Sequence, residues 1–149
     1  MGNTGHRGFL IWMCAAALSM GGEARTESPS DILIIANTSV STNSSTADEI
    51  RDIFLQKRSD WSAGGRAVPI QAVEGSKLRD EFCERVLRMS PSEEQKYWQE
   101  RKIRFGYTPP VEFENTLRAV YRLRGSVSYI FREQYREGVV KVLLVLPSR

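Results

Sequence analysis

The chain has 149 residues, with 21 Lys or Arg against 18 Asp or Glu and a formal net charge of +3. So small an excess, with no concentrated basic face interleaved with aromatics, excludes nucleic acid as the expected partner. The single histidine, His6, falls in the leader described next, which excludes a His triad, a His general base or a His-ligated metal from the rest of the chain.

Residues 1–24 have the layout of a secretory signal peptide. "MGNTGHRG" supplies Arg7, "FLIWMCAAALSM" is a short apolar block, and "GGEA" offers small residues for cleavage. Cleavage after Ala24 or after Gly21 fits equally well. The block is too short to span a bilayer comfortably, and Cys14 sits in it without a lipoprotein pattern. No later segment is apolar for long enough to cross a membrane, so the expected product is exported, periplasmic or beyond, with no span after cleavage. Loss of Arg7 and Glu23 leaves the charge at +3. About 125 residues remain, enough for one domain with a core and too few for two. Cys83 is then the only cysteine, which excludes an internal disulfide. It shares a helical face with Leu78, Phe82, Val86 and Leu87, as a packed core residue would, and a reactive or intermolecular thiol is the alternative.

In chain order, residues 25–30 are a polar lead-in. "DILIIAN" (31–37) reads as a buried strand, an unbroken apolar run between Asp and Asn. The Ser/Thr-rich stretch 38–46 is a turn, and Ser45 or Thr46 caps a helix over about 46–57 that buries Ile50, Ile53 and Phe54. "AVPIQAV" is the second strand, with Pro69 placing it at an edge or near its own start. The second helix runs over about 76–89. Ser90-Pro91-Ser92-Glu93 opens the third, which ends near Arg101. "RFGYTPP" (104–110) is a loop, "EFENTLRAVYRLRG" (112–125) a fourth helix stopped by Gly125, and "SVSYIF" a third strand. A short helix over 132–138 and a strand over 139–146 complete the domain at 31–146, before a tail of 147–149. Strands alternating with helices predict one layered α/β domain, its central mixed or largely parallel sheet flanked by helices. Arg118, Arg122 and Arg124, like Arg101, Lys102 and Arg104, read as solvated helix faces.

The chemistry concentrates at "AVEGSKLRDEF" (72–82), where a strand turns directly into a helix. The first N–H groups of a helix lack intrahelical partners and carry partial positive charge, so Gly75, Ser76 and Lys77 offer an anion cradle. Ser76 as a plain helix cap is the competing reading. Asn37 and Ser39, at the exit of the first strand, form a second donor group that could face the same crevice. No Gly-x-Ser-x-Gly elbow or P-loop is present, and the pair Glu74 and Asp80 has only sequence proximity to recommend it. No enzyme, cofactor or metal is implied.

"IIANTSVSTNSSTADEIRDIFLQKRSDW", "VEGSKLRDEF", "RFGYTPP" and "LRGSVSYI", in this order and spacing, resemble the phosphate-type substrate-binding proteins of ABC importers. That family folds as the type 2 periplasmic-binding-protein clamshell. The resemblance covers roughly 31–146 and is to the second of its two lobes alone. It implies binding of phosphate or a similar small oxyanion in connection with ABC-type import, with a permease or another envelope protein as partner and a homodimer as one way to supply the opposite wall. An envelope interaction module that reuses the lobe without a small ligand is the alternative.

The family's phosphate turn reads approximately Arg-x-Asp-Gly-Ser-Gly-Thr. Gly75 and Ser76 match it, whereas Ala72 stands at the arginine, Glu74 at the Asp, and Lys77-Leu78 at Gly-Thr. Lys77 restores charge without the two-pronged grip of Arg, and Arg79, further along the helix, is expected to point away.

Overall fold

A computed structural model describes residues 26–149, so the expected leader at 1–24 lies outside the described residues. Five strands form one sheet: β1 (Ile32–Ala36), β2 (Val68–Ala72), β3 (Val111–Phe113), β4 (Ser126–Phe131) and β5 (Lys141–Leu146). Their spatial order is β3-β2-β4-β1-β5. β2 runs parallel to β3 and β4, whereas β1 is antiparallel to both β4 and β5. The helices are α1 (Ala47–Phe54), α2 (Lys77–Phe82), α3 (Pro91–Phe105) and α4 (Thr116–Arg122). No described helix is long and apolar enough to cross a membrane.

The unbroken apolar run of β1 follows from its place in the middle of the sheet. Ile32, Ile34 and Ala36 face a core built with Ile50, Phe54, Phe82 and Leu87, while Leu33 and Ile35 face the opposite side with Ile70, Val120 and Ile130. A strand covered on both faces has no polar side to alternate with. On the first face the rings of Phe82 and Tyr129 stack with centroids 3.7 Å apart, and Phe54 tilts against both.

Helix starts match the local signals. Thr46 caps α1 by accepting from Glu49 N–H, and Ser90 and Glu93 form a reciprocal capping box behind Pro91. Four elements differ from the reading of the sequence. α3 runs on to Phe105, stopped by Gly106 at φ +71°, past the end expected near Arg101 and into the stretch read as a loop. α2 does not continue as one α-helix to 89: it passes into a π-helical turn, Cys83–Leu87, that ends at Arg88 with φ +58°. The widened turn buries Cys83, Val86 and Leu87 together. Residues 111–113 are a strand, not the start of the fourth helix, because β2 offers them a free edge: Ile70, Gln71 and Ala72 pair with Val111, Glu112 and Phe113. Pro69 is tolerated inside the sheet because β3 begins only opposite Ile70. Finally, only Arg132–Gln134 of the expected short helix forms, as one 3-10 turn.

Candidate functional site

The turn between β2 and α2 lies at the carboxyl end of the parallel strands. Gly75 adopts φ +77°, a conformation an L side chain resists, and open space surrounds the position a Cβ would take. Gly75 and Lys77 are exposed and Ser76 is half-buried. Ser76 is the N-cap of α2, its Oγ accepting from Arg79 N–H at 3.3 Å. The same hydroxyl donates to Val73 O at 2.8 Å, and Ser76 N–H also points to that carbonyl at 3.3 Å. The donors expected of Ser76 are therefore engaged within the turn. Lys77 and Leu78, the first two residues of the helix, have N–H groups beyond reach of any intrahelical carbonyl. Lys77 Nζ stands 3.7 Å from Glu81 on a side chain that is 76% exposed.

Asn37 and Ser39 do not join this turn. β1 is antiparallel to β4 while β2 is parallel to it, so Ala36 lies level with Val127 at the start of β4 and the carboxyl ends of β1 and β2 point in opposite directions. Asn37 is buried, donating to Val120 O and Tyr121 O at 2.7 and 3.0 Å and accepting from Ser39 N–H. Ser39 Oγ accepts from Gly125 N–H at 3.0 Å. Both residues anchor the exit of β1 to the end of α4, and the expected second donor group is a structural brace.

Arg79 also departs from expectation. Instead of pointing away, it turns inward, 6% exposed, beneath the Gly75 turn. Its Nε and Nη2 donate to the two oxygens of Glu94 at 3.1 and 3.0 Å, and Nη1 donates to Ala72 O at 2.7 Å and Glu112 Oε1 at 3.2 Å. Four of the five guanidinium N–H bonds are thus in use. Glu94, buried on α3, also accepts from Gln71 Nε2 and Cys83 Sγ, each at 3.0 Å. Burial, and then the hydrogen bond to Glu94, push the Cys83 thiol up to about 12. The packed reading of Cys83 accords with this position, 0% exposed. Tyr129 completes the group: its hydroxyl accepts from Ala72 N–H at 3.2 Å, and burial raises its pKa.

The sequence carried a signal for this pair. Arg79 lies on the same stripe as Phe82, Cys83 and Val86, and Glu94 on the stripe of Tyr97 and Trp98. A charge on each of two apolar stripes marks a buried partnership. Above the pair opens a crevice of ≈ 260 Å³ between α2 and α3, bordered by Gly75, Arg79, Glu94, Trp98, Pro109 and Glu112.

Comparison with solved structures identifies this fold. A protein from Clostridium perfringens classed as a phosphate ABC transporter substrate-binding protein, solved with bound phosphate, superposes with a TM-score of 0.58 at 19% identity, over 77% of this chain and 45% of its own. An ABC-type phosphate transport receptor from Vibrio cholerae gives 0.58 at 12% identity over 77% and 46%. PstS from Borrelia burgdorferi gives 0.57 at 12% identity over 75% and 46%. The chain spans less than half the length of each, so the resemblance read in the sequence holds as a fold of one lobe. No family model and no curated protein matches the chain.

Proposed function

We propose that this chain is an exported, non-enzymatic binding lobe of the phosphate-type substrate-binding class, taking phosphate or a similar small oxyanion at the turn that opens α2. The observation that carries this reading is the exposed Gly75 turn at the carboxyl end of β2, where Lys77 and Leu78 N–H groups have no intrahelical acceptor, on the fold of that class. The helical run continues unbroken from Lys77 into the π-turn that ends at Leu87, which keeps the peptide dipoles aligned behind those donors.

One lobe covers an anion from one side only. With Ser76 and Arg79 engaged internally, the isolated half-site holds its ligand weakly and awaits a second wall from an ABC permease, another envelope protein or a second copy of this chain. The test is calorimetry on the mature protein with phosphate and with sulfate at low salt. Binding tighter than about 1 mM, roughly −4 kcal/mol, supports the half-site, and weaker or absent binding of both refutes it for the isolated chain. Lys77→Gln weakens that binding without altering stability, because Lys77 is exposed and its pair with Glu81 is a surface one.

A second reading, an interaction module without a small ligand, is favoured by one observation. The cation nearest the turn, Arg79, is already gripped by Glu94 and Glu112, leaving the crevice more acidic than basic.

A further inference from the structure

α3 ends in a tip that no other element covers. Residues 102–109 are exposed without a break, and Ile103, Phe105 and Tyr107 keep 77%, 63% and 44% of their surface in water. Arg101 ties the tip together, its guanidinium lying over the rings of Tyr97, Phe105 and Tyr107 at 5.3, 5.8 and 4.7 Å from their centroids. The charge here has one sign: residues 101–111 hold Arg101, Lys102 and Arg104 and no acid. Lys102 and Arg104 form no salt bridge among the described residues. The pattern recurs at the end of α4. β3 and β4 both run parallel to β2, so α3 and α4, which lead into them, finish at one edge of the sheet, opposite the Gly75 turn. There the exposed Tyr121 and Leu123 alternate with the exposed Arg122 and Arg124, which also form no salt bridge among the described residues.

The geometry points to this edge as a docking surface for an anionic lipid bilayer. Ile103, Phe105 and Tyr107 enter the headgroup region, while Lys102, Arg104 and the α4 arginines meet the lipid phosphates beside them. A second copy of the chain seated on the same edge would set like charges against like. A protein interface gathers its apolar groups into a core depleted of Lys, whereas here each exposed apolar side chain has a cation next to it or one turn away. The bilayer interface takes that mixture: aromatic rings sit at headgroup depth and basic side chains reach outward to anionic lipid. Docking by this edge leaves the Gly75 turn facing away from the lipid, so the inference stands apart from whether that turn holds an oxyanion.

The test is co-sedimentation of the mature protein with sucrose-loaded vesicles of phosphatidylcholine, alone or with about 30% phosphatidylglycerol, at about 50 mM salt to keep screening weak. The expected result is binding to the anionic vesicles about tenfold or more stronger than to the neutral ones. Lys102→Gln with Arg104→Gln weakens it about 25-fold, about fivefold for each charge near the surface. Ile103→Ser with Phe105→Ser weakens it about tenfold or more, because less apolar surface leaves water on docking. All four positions are exposed, so both variants keep the urea midpoint of the parent, and lost binding is not lost folding. Binding to neither vesicle, or equal binding to both, overturns the inference on the parent protein alone and leaves the edge to a protein partner. Unchanged binding in the Lys102 and Arg104 variant overturns it. So does unchanged binding in the Ile103 and Phe105 variant, which would reduce the contact to a diffuse attraction with nothing inserted.

Discussion

Replacing Glu94 by Gln isolates the buried ion pair beneath the turn. Glu94 is 3% exposed and Arg79 6%, so the guanidinium left behind cannot reach water without opening the α2–α3 contact. The variant keeps the shape but removes the charge, and its amide N–H₂ meets an Arg79 N–H whichever way it turns, beside Gln71 Nε2 at one position and Cys83 Sγ at the other, all placed to donate. Glu112 remains as the counter-ion, but its side chain is 41% exposed and makes one contact at 3.2 Å. Breaking a buried pair from one side costs about 3–5 kcal/mol, and the retained partners place this case near the lower figure, about 3 kcal/mol. With a urea m value of about 1.5 kcal/mol/M, the unfolding midpoint falls by about 2 M. The assay is urea unfolding followed by tryptophan fluorescence and by far-UV circular dichroism. Arg79→Met alone leaves Glu94 buried and unpaired, whereas Arg79→Met with Glu94→Met leaves no unpaired charge. The double variant therefore destabilises by about 2 kcal/mol less than the sum of its parts. A loss under about 1 kcal/mol in Glu94→Gln, or additivity of the two methionine variants within about 0.5 kcal/mol, refutes the reasoning.

Further outcomes follow from single positions. Ser76→Ala loses the cap and costs about 1 kcal/mol, while Ser76→Gly costs only a few tenths, both read as shifts in the urea midpoint. Gly125→Ala places a Cβ 2.7 Å from Arg66 O at φ +75°, so strain and clash together cost more than about 2 kcal/mol, and a variant within about 1 kcal/mol of the parent contradicts this geometry. Cys83 stays unmodified by a thiol reagent at pH 8 in the folded protein and reacts at once in urea, because burial and Glu94 hold its thiol protonated. Asp31 accepts from Ser148 and Ser28 N–H groups at 2.8 and 3.1 Å and from Arg132, and these bonds hold its pKa below the ordinary value. Its stabilising contribution is full above the unfolded-state pKa of about 4 and is lost as pH falls through the lowered folded value. Asp31→Asn accordingly flattens the acid limb of the stability profile.

What the residues disclosed in advance was local. The double-sided burial of β1 is written in "ILIIA", and the starts of α1, α2 and α3 in Thr46, Ser76 and Ser90 with their following residues. Such signals act over a turn or a strand, where chain neighbours decide the outcome. β3 escaped because three residues between Pro110 and the Asn115 cap become a strand only through the edge that β2 offers. Asn37 and Ser39 were drawn to the wrong end of the sheet for a related reason: the direction of β1 is set by its neighbours β4 and β5, late in the chain. At the turn itself, Gly75 and Ser76 were legible as a pattern, but the engagement of the Ser76 hydroxyl with Val73 O, three residues back, was not. Arg79 was misread because it was judged by its charge rather than by the apolar stripe on which it sits, and its partner Glu94 drew no reading at all.

The sharpest measurement is a phosphate titration of the mature protein read amide by amide in 15N correlation spectra at low salt. If the opening of α2 is half of an anion site, the amides of Gly75, Lys77 and Leu78 shift together and saturate with one constant tighter than about 1 mM, while Asn37 and Ser39 stay still. Shifts confined to scattered surface arginines, or a silent turn at about 10 mM phosphate, would show that the site holds no oxyanion.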